Sequence, residues 1–471
     1  MNRYVGLGVA VLAIAAAATG GYVWVAHDVR TDVRNAARHL RAELGPSGSL
    51  SYTLSAVEPL RNTVVLRQVA LRTASGTLLT ASRVSVSGAS GRISALNAAD
   101  VRVSGAAAQG AVSAASLIAT NVALPVPLPG QRFSIDPAAW SADAVSLRGV
   151  VLSAPGAALK LAAIKVTNYG AGRASALVAR GFSAPVSNAP RLDRISFAAL
   201  RLSGLDLATA LNAIEHHTAP PVLSSGPVAL SVTDFHADGA RARVISVGKF
   251  TLSGTPGPDA ASSHSVLNVT GVVIHPTDPA AAARLEELGL HALRGSLSAT
   301  GSYRLAGGIA ATRQTLRVDG LGQLGYDIRI AHLALPRLQP GTLPLPALLA
   351  AVRNAVVVSA DIHLTDAGLL DRAFAIGARD TGTPPAALRA RLAGGLAGNP
   401  VLGALPDAAQ IKAALTSFAL YGGTLRVAVH PAAPVGLFSL AGQSDPAAVF
   451  ARLGVSVSAV PPAPPRPVTH E

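Results

Sequence analysis

Arg83-Val84-Ser85-Val86-Ser87-Gly88 decides how this chain is read. Its valines fall on one side and its arginine and serines on the other. That period of two marks a half-buried strand, and the closing glycine is expected to supply the positive φ that a tight turn uses. The phrase returns as Val101-Arg102-Val103-Ser104-Gly105, Leu200-Arg201-Leu202-Ser203-Gly204 and Phe250-Thr251-Leu252-Ser253-Gly254. Looser copies stand at Val145–Gly149, Leu267–Gly271 and Leu316–Gly320. Their spacing is irregular, which argues against a fixed-period solenoid. No alternation of strand and helix runs through residues 50–275, so a doubly wound parallel sheet does not fit.

The expected fold class is α+β, mainly β: an N-terminal transmembrane helix, then antiparallel β-meander sheets with a few helices, and a more helical C-terminal part. Five segments are expected. Residues 1–27 form a transmembrane anchor, 28–48 a juxtamembrane helix and linker, and 49–275 a β-rich, repeat-like domain. Residues 276–460 form an α+β domain, and 461–471 a proline-rich disordered tail, with the main boundary near residues 275–292. Helices are read at Asp206–His217, from Thr277-Asp278-Pro279 to Gly289, and at Pro344–Val352. More follow after Asp366, at Ala386–Leu396, at Pro406–Phe418 and at Asp445–Leu453, with strands at Val356–Leu364 and Thr424–Val429. The caps carry these readings: Asp278 before Pro279 and Asp366 before an apolar run are start signals.

Tyr4–Ala26 contains no charge and is long enough to cross a hydrocarbon core of about 30 Å. Tyr22 and Trp24 lie at its far end, where amphipathic rings favour the headgroup level. The competing reading is a signal peptide cleaved near Ala15–Ala18, but the apolar run continues past those small residues. Both readings export the rest of the chain. Beyond it, Arg30, Arg34, Arg38 and Arg41 form a stripe at helical spacing. They are candidate headgroup contacts, or ordinary solvated arginines of a spacer helix.

Composition narrows the chemistry. The chain has 471 residues and no cysteine, which excludes disulfides, thiolate metal sites, iron–sulfur clusters and a cysteine nucleophile. The net charge of +14 comes from scattered arginines, with only four lysines and no basic block interleaved with aromatics, so no nucleic-acid partner is expected. Gly320-Leu321-Gly322-Gln323-Leu324-Gly325 matches the dinucleotide fingerprint in letters. The alternating Tyr326–Leu333 after it reads as a strand where the fingerprint needs a helix, so the glycines are assigned to a hairpin. His216 and His217 are adjacent on a helix and aim about 100° apart, a poor chelate. Asp234, His236 and Asp238 alternate on one strand and are weighed as a metal site against an exposed hairpin end. There is no G-x-S-x-G and no phosphate-binding loop. Catalytic, cofactor and metal residues are therefore set at none, and the protein is expected not to be an enzyme.

The single N-terminal apolar segment, the lack of cysteine and the repeated Val-x-Val-Ser-Gly strands of residues 1–275 resemble AsmA-like envelope proteins of Gram-negative bacteria. That resemblance implies curved β-sheet grooves and a role in phospholipid transport or outer-membrane assembly. Val356–Arg372, Gly423–Val427 and His430–Pro434 resemble uncharacterised exported proteins of alphaproteobacteria, which implies no activity. The expected protein is a non-enzymatic, single-pass inner-membrane protein with its bulk in the periplasm, binding lipid along an apolar sheet face. Val84, Val86, Val101, Val103, Leu200, Leu202, Phe250 and Leu252 are the candidate ligand face. The alternative is a structural or interaction module of an envelope or polysaccharide-export assembly, its sheet packed on itself and docking a protein partner.

Overall fold

A computed structural model describes residues 37–38, 41, 48–58, 62–72, 77–89, 92–105, 110–123, 139–154, 157–186, 191–215, 226–240, 242–256, 261–333, 353–436, 439 and 445–462. The chain divides into two compact units, Met1–Ala242 and Arg243–Glu471. The division falls before the expected boundary at residues 275–292, because the second unit's own ladder already begins with the strand phrase at Phe250.

The first unit is an unbroken antiparallel meander. Its strands are β1 (Ser49–Glu58), β2 (Thr63–Arg72), β3 (Leu78–Ala89), β4 (Arg92–Ser104), β5 (Ala111–Ala123), β6 (Ala142–Ala154), β7 (Ala157–Tyr169), β8 (Ser175–Pro185) and β9 (Arg194–Leu205). Helix α1 (Leu207–Glu215) then leads to β10 (Val228–Asp238). Each strand pairs with the next in chain order. One face carries the core, from Val64 and Leu66 on β2 through Leu79, Val84, Leu96, Val101 and Leu117 to Val145 and Val150 on β6. Ala37, Trp140, Tyr169 and Ala208 close over it, and Leu207 and Leu211 of α1 pack against it. The Trp140 and Tyr169 rings lie 4.1 Å apart.

A crease crosses this sheet. Gln68, Asp100, Gly149, Gly181 and Asp234 all have left-handed backbone, with φ between 51° and 63°. The ladders skip one or two pairs at each of them, and the residues opposite the left-handed ones are the small Ser82, Ala115, Ala162 and Ala198. Each skip leaves two successive residues outward, so the side-chain parity of the strand reverses. Arg67 and Gln68 are both exposed between buried Leu66 and Val69; Ser82 and Arg83 are both exposed between buried Ala81 and Val84. The apolar side therefore stays on one face along strands of up to thirteen residues.

The second unit contains β11 (Arg243–Pro256), β12 (Ser262–Ile274), α2 (Pro279–Glu287), β13 (Leu293–Arg304), β14 (Ile309–Val318), β15 (Gly322–Ala331) and β16 (Val356–Asp366). Helices α3 (Leu369–Thr381), α4 (Pro385–Ala397) and α5 (Ala408–Tyr421) follow, then β17 (Thr424–Val429), β18 (Val435–Gly436), α6 (Pro446–Leu453) and β19 (Val455–Val460). β11 to β17 pair in sequence order, β19 adds to β17, and β18 pairs β16. β18 and β19 are additions to the expected elements. Of the two start signals, Asp278 stands at the N-cap of α2 but its side chain makes no cap bond; Asp366 lies two residues before the Gly368 N-cap of α3, and its Oδ1 accepts from the amide of Leu370 at 3.0 Å. At α6, Asp445 Oδ1 accepts from the amide of Ala447 at 2.9 Å. Ile411 and Ala414 of α5 form a small core with Leu405 and Val457, against which Leu425 and Val427 pack.

The expected fold class is corrected in one respect. Among the described residues no helix is long and apolar enough to cross a membrane, and Tyr4–Ala26 lies outside the described residues. The described residues are mainly β, with nineteen antiparallel strands among them, and their helices are short elements beside the ladders. Residues 344–352 and most of the proline-rich tail also lie outside the described residues.

Candidate functional site

The registers of the second unit place its apolar residues in two transverse rows. One runs Phe250–Val269–Leu297–Leu316–Leu324–Leu364–Leu425, each residue directly opposite the next. The other, two residues along each strand and interrupted by the polar Gln314, runs Leu252–Leu267–Ala299–Gln314–Tyr326–Ile362–Val427–Val457. Opposed residues in an antiparallel pair project to one face, so both rows lie on the same side. Over β17 and β19 this side is covered by α5. Over β11–β16 it is open: Leu316 is 45% exposed, Leu324 42%, Leu252 41% and Ile362 41%. The helices beside the open part do not cover it with buried side chains; neither α2 nor α3 has a buried residue. Six strands at about 4.8 Å spacing make the open strip about 24 Å long.

The opposite face of the same strands is polar and charged. Arg313 reaches Asp327 across β14 and β15 at 2.6 Å, and Arg426 Nε donates to Asp361 Oδ1 at 2.9 Å. Amphipathic strands thus divide the unit into an ionic face and an apolar face.

The candidate ligand residues fall into two groups. Val84, Val86 and Val101 are at most 2% exposed and belong to the closed core of the first unit. Val103, Leu200, Leu202 and Phe250 are half-buried, and Leu252 is exposed. Only Phe250 and Leu252 belong to the open rows. Leu316, Leu324 and Ile362 are the additions, and the copy Leu316-Arg317-Val318-Asp319-Gly320 is the signal that points to the first of them.

Of the candidate headgroup contacts, Arg30 and Arg34 lie outside the described residues. Arg41 donates from Nε and Nη2 to the Leu50 carbonyl, at 3.0 and 2.9 Å, so its guanidinium serves the first unit's own edge. The Gly320–Gly325 motif spans the turn and first residues of the β14–β15 hairpin; Gly325 faces His363, whose ring occupies the space a side chain would need. Asp234 is the left-handed residue of β10, and among the described residues no group of three metal-capable side chains stands together. His216 and His217 lie outside the described residues.

A family model described as an uncharacterized protein matches residues 315–460, from within β14 to the end of β19. No curated protein matches the chain.

Proposed function

We propose that this chain is a non-enzymatic lipid-binding protein of the cell envelope, with its β units in the periplasm, and that it holds an acyl chain against the open rows of β11–β16. Leu316 opposite Leu324, both more than two-fifths exposed, is the observation that carries the reading. Contiguous exposed apolar surface marks a binding site more often than it marks idle surface, and the strip's length of about 24 Å suits an extended hydrocarbon laid across the strands. The repeated strands that resemble AsmA-like proteins support the same reading.

The test is lipid extraction from the purified full chain, followed by mass spectrometry, for the wild type and the double variant Leu316→Ser, Leu324→Ser. Bound lipid in the wild type and its loss from a folded variant are expected. A wild type that carries no lipid, or a variant that carries as much, refutes the reading.

A second reading, an interaction module with a self-packed sheet, is favoured by one specific observation. The face of β2–β6 is closed, with Val84 and Val101 fully buried. A protein that docks only through its outer surface would show no lipid in the same extraction.

A further inference from the structure

A hollow of about 480 Å³ lies at the strand ends of β11–β15, within the second unit. His264, Ser302, Ala311 and Arg329 stand directly opposite one another on β12, β13, β14 and β15. They share one face, the polar side of the ladder, away from the two apolar rows. Arg304 follows Ser302 by two residues and so lies on that same face. Ala311 is the small member of the row, and its missing bulk opens the space between Ser302 and Arg329, about 10 Å apart across two strand spacings.

The charge in this hollow is one-sided. Arg304, Arg329 and His264 line it, and among the described residues no carboxylate does. Neighbouring arginines of the unit are matched: Arg313 with Asp327, Arg317 with Asp319, Arg426 with Asp361. Neither Arg304 nor Arg329 makes such an ion pair among the described residues. Hydroxyl groups complete the lining, from Thr255 and Ser302. Two guanidinium forks, an imidazole and hydroxyl donors that line one hollow without an acid form a donor set suited to a tetrahedral oxyanion, because the planar fork matches two oxygens at once.

We infer that this hollow binds a phosphate group, presented as a lipid headgroup or as a soluble phosphate ester. The inference does not rest on the lipid reading above: it uses the other face of the sheet and other residues.

The full chain is titrated with inorganic phosphate by calorimetry, and sedimented with phosphatidylcholine vesicles with and without phosphatidic acid. Arg304→Gln, Arg329→Gln and, as a control outside the hollow, Arg317→Gln are compared, with circular dichroism melts to confirm folding. Saturable phosphate binding at one site is expected, about tenfold weaker in each hollow variant and unchanged in Arg317→Gln. Vesicle binding that needs both phosphatidic acid and the two hollow arginines identifies the source as a headgroup. Phosphate binding without vesicle binding identifies a soluble ester. Absence of saturable phosphate binding, or equal loss in Arg317→Gln, overturns the inference.

Discussion

Gly181 faces Ala162 across β7 and β8 so closely that a methyl group on the glycine would lie 2.7 Å from the alanine Cβ. Its φ is +63°, in the left-handed region. Two constraints therefore meet at one link of the crease: the backbone disfavours a side chain, and the opposing strand leaves no room for one. Gly181→Ala is expected to cost about 1–2 kcal/mol, read as a lower urea midpoint with unchanged slope. Gly394, inside α4 with nothing within 4 Å of an added Cβ, is the counterpart. Gly394→Ala is expected to stabilise by about 0.5–1 kcal/mol.

The crease explains which parts of the fold can be read in advance. Val101-Arg102-Val103 and Leu200-Arg201-Leu202 are each half of a strand whose parity reverses at the neighbouring crease position. Alternation reveals the halves, yet it has no means of joining them, since an αL residue looks like any polar residue of the solvent face. Asp100, Asn121, Asn168 and Asp234 carry the residual signal, because Asn and Asp tolerate positive φ better than other side chains. Cover was illegible for a different reason. Val84 on β3 and Leu316 on β14 sit in the same apolar–polar phrase. What separates them is non-local: Trp140, Tyr169 and α1 close over the first unit's core, and among the described residues no helix buries a side chain against Leu316.

Arg389 ties three helices together. From α4 it donates to the last-turn carbonyls of α5, Ala419 at 3.4 Å and Leu420 at 3.1 Å, and it pairs with the Asp371 carboxylate of α3. Its guanidinium also lies 4.8 Å from the centre of the Phe374 ring. A cation at a helix C-terminus complements the dipole, and the planar head serves all these partners at once. Arg389→Met is expected to cost about 2–3 kcal/mol in chemical denaturation. Arg389→Lys recovers less than half of that, since an ammonium lacks the fork and the stacking plane.

Asp206 gives the first unit a pH dependence. Burial pushes its carboxyl pKa up, but hydrogen bonds from the Thr209 hydroxyl and amide, from Gly172 and from Ala208 outweigh that and hold it below the ordinary value. The contacts are short, 2.6 Å from both the Thr209 hydroxyl and the Gly172 amide. A carboxylate whose folded pKa is depressed adds stability that is fully present above the unfolded value of about 3.9 and is lost as pH falls through the folded one. Urea midpoints are therefore expected to drop as pH falls below about 5 in the wild type. Asp206→Asn lowers the midpoint at pH 7 and flattens this part of the profile; a parallel profile in the variant excludes the assignment.

Charge placed on the two apolar faces separates the closed core from the open strip. Val101 is fully buried among the side chains of β3–β5. An aspartate there meets no donor and no water, so Val101→Asp is expected to cost at least about 4 kcal/mol, from a stranded charge and lost packing together. Leu324 lies in a row of the same chemical character but is 42% exposed. Its aspartate keeps much of its hydration, so the loss is limited to partial burial and the low strand preference of Asp, about 1–2 kcal/mol. Urea unfolding of both variants, with the slope held as a check on the two-state comparison, measures the difference. A folded Leu324→Asp beside an unfolded Val101→Asp shows that the strip over β11–β16 is free surface in solution. Should Leu324→Asp unfold as readily, something covers the row, and the acyl-chain reading loses the face it depends on.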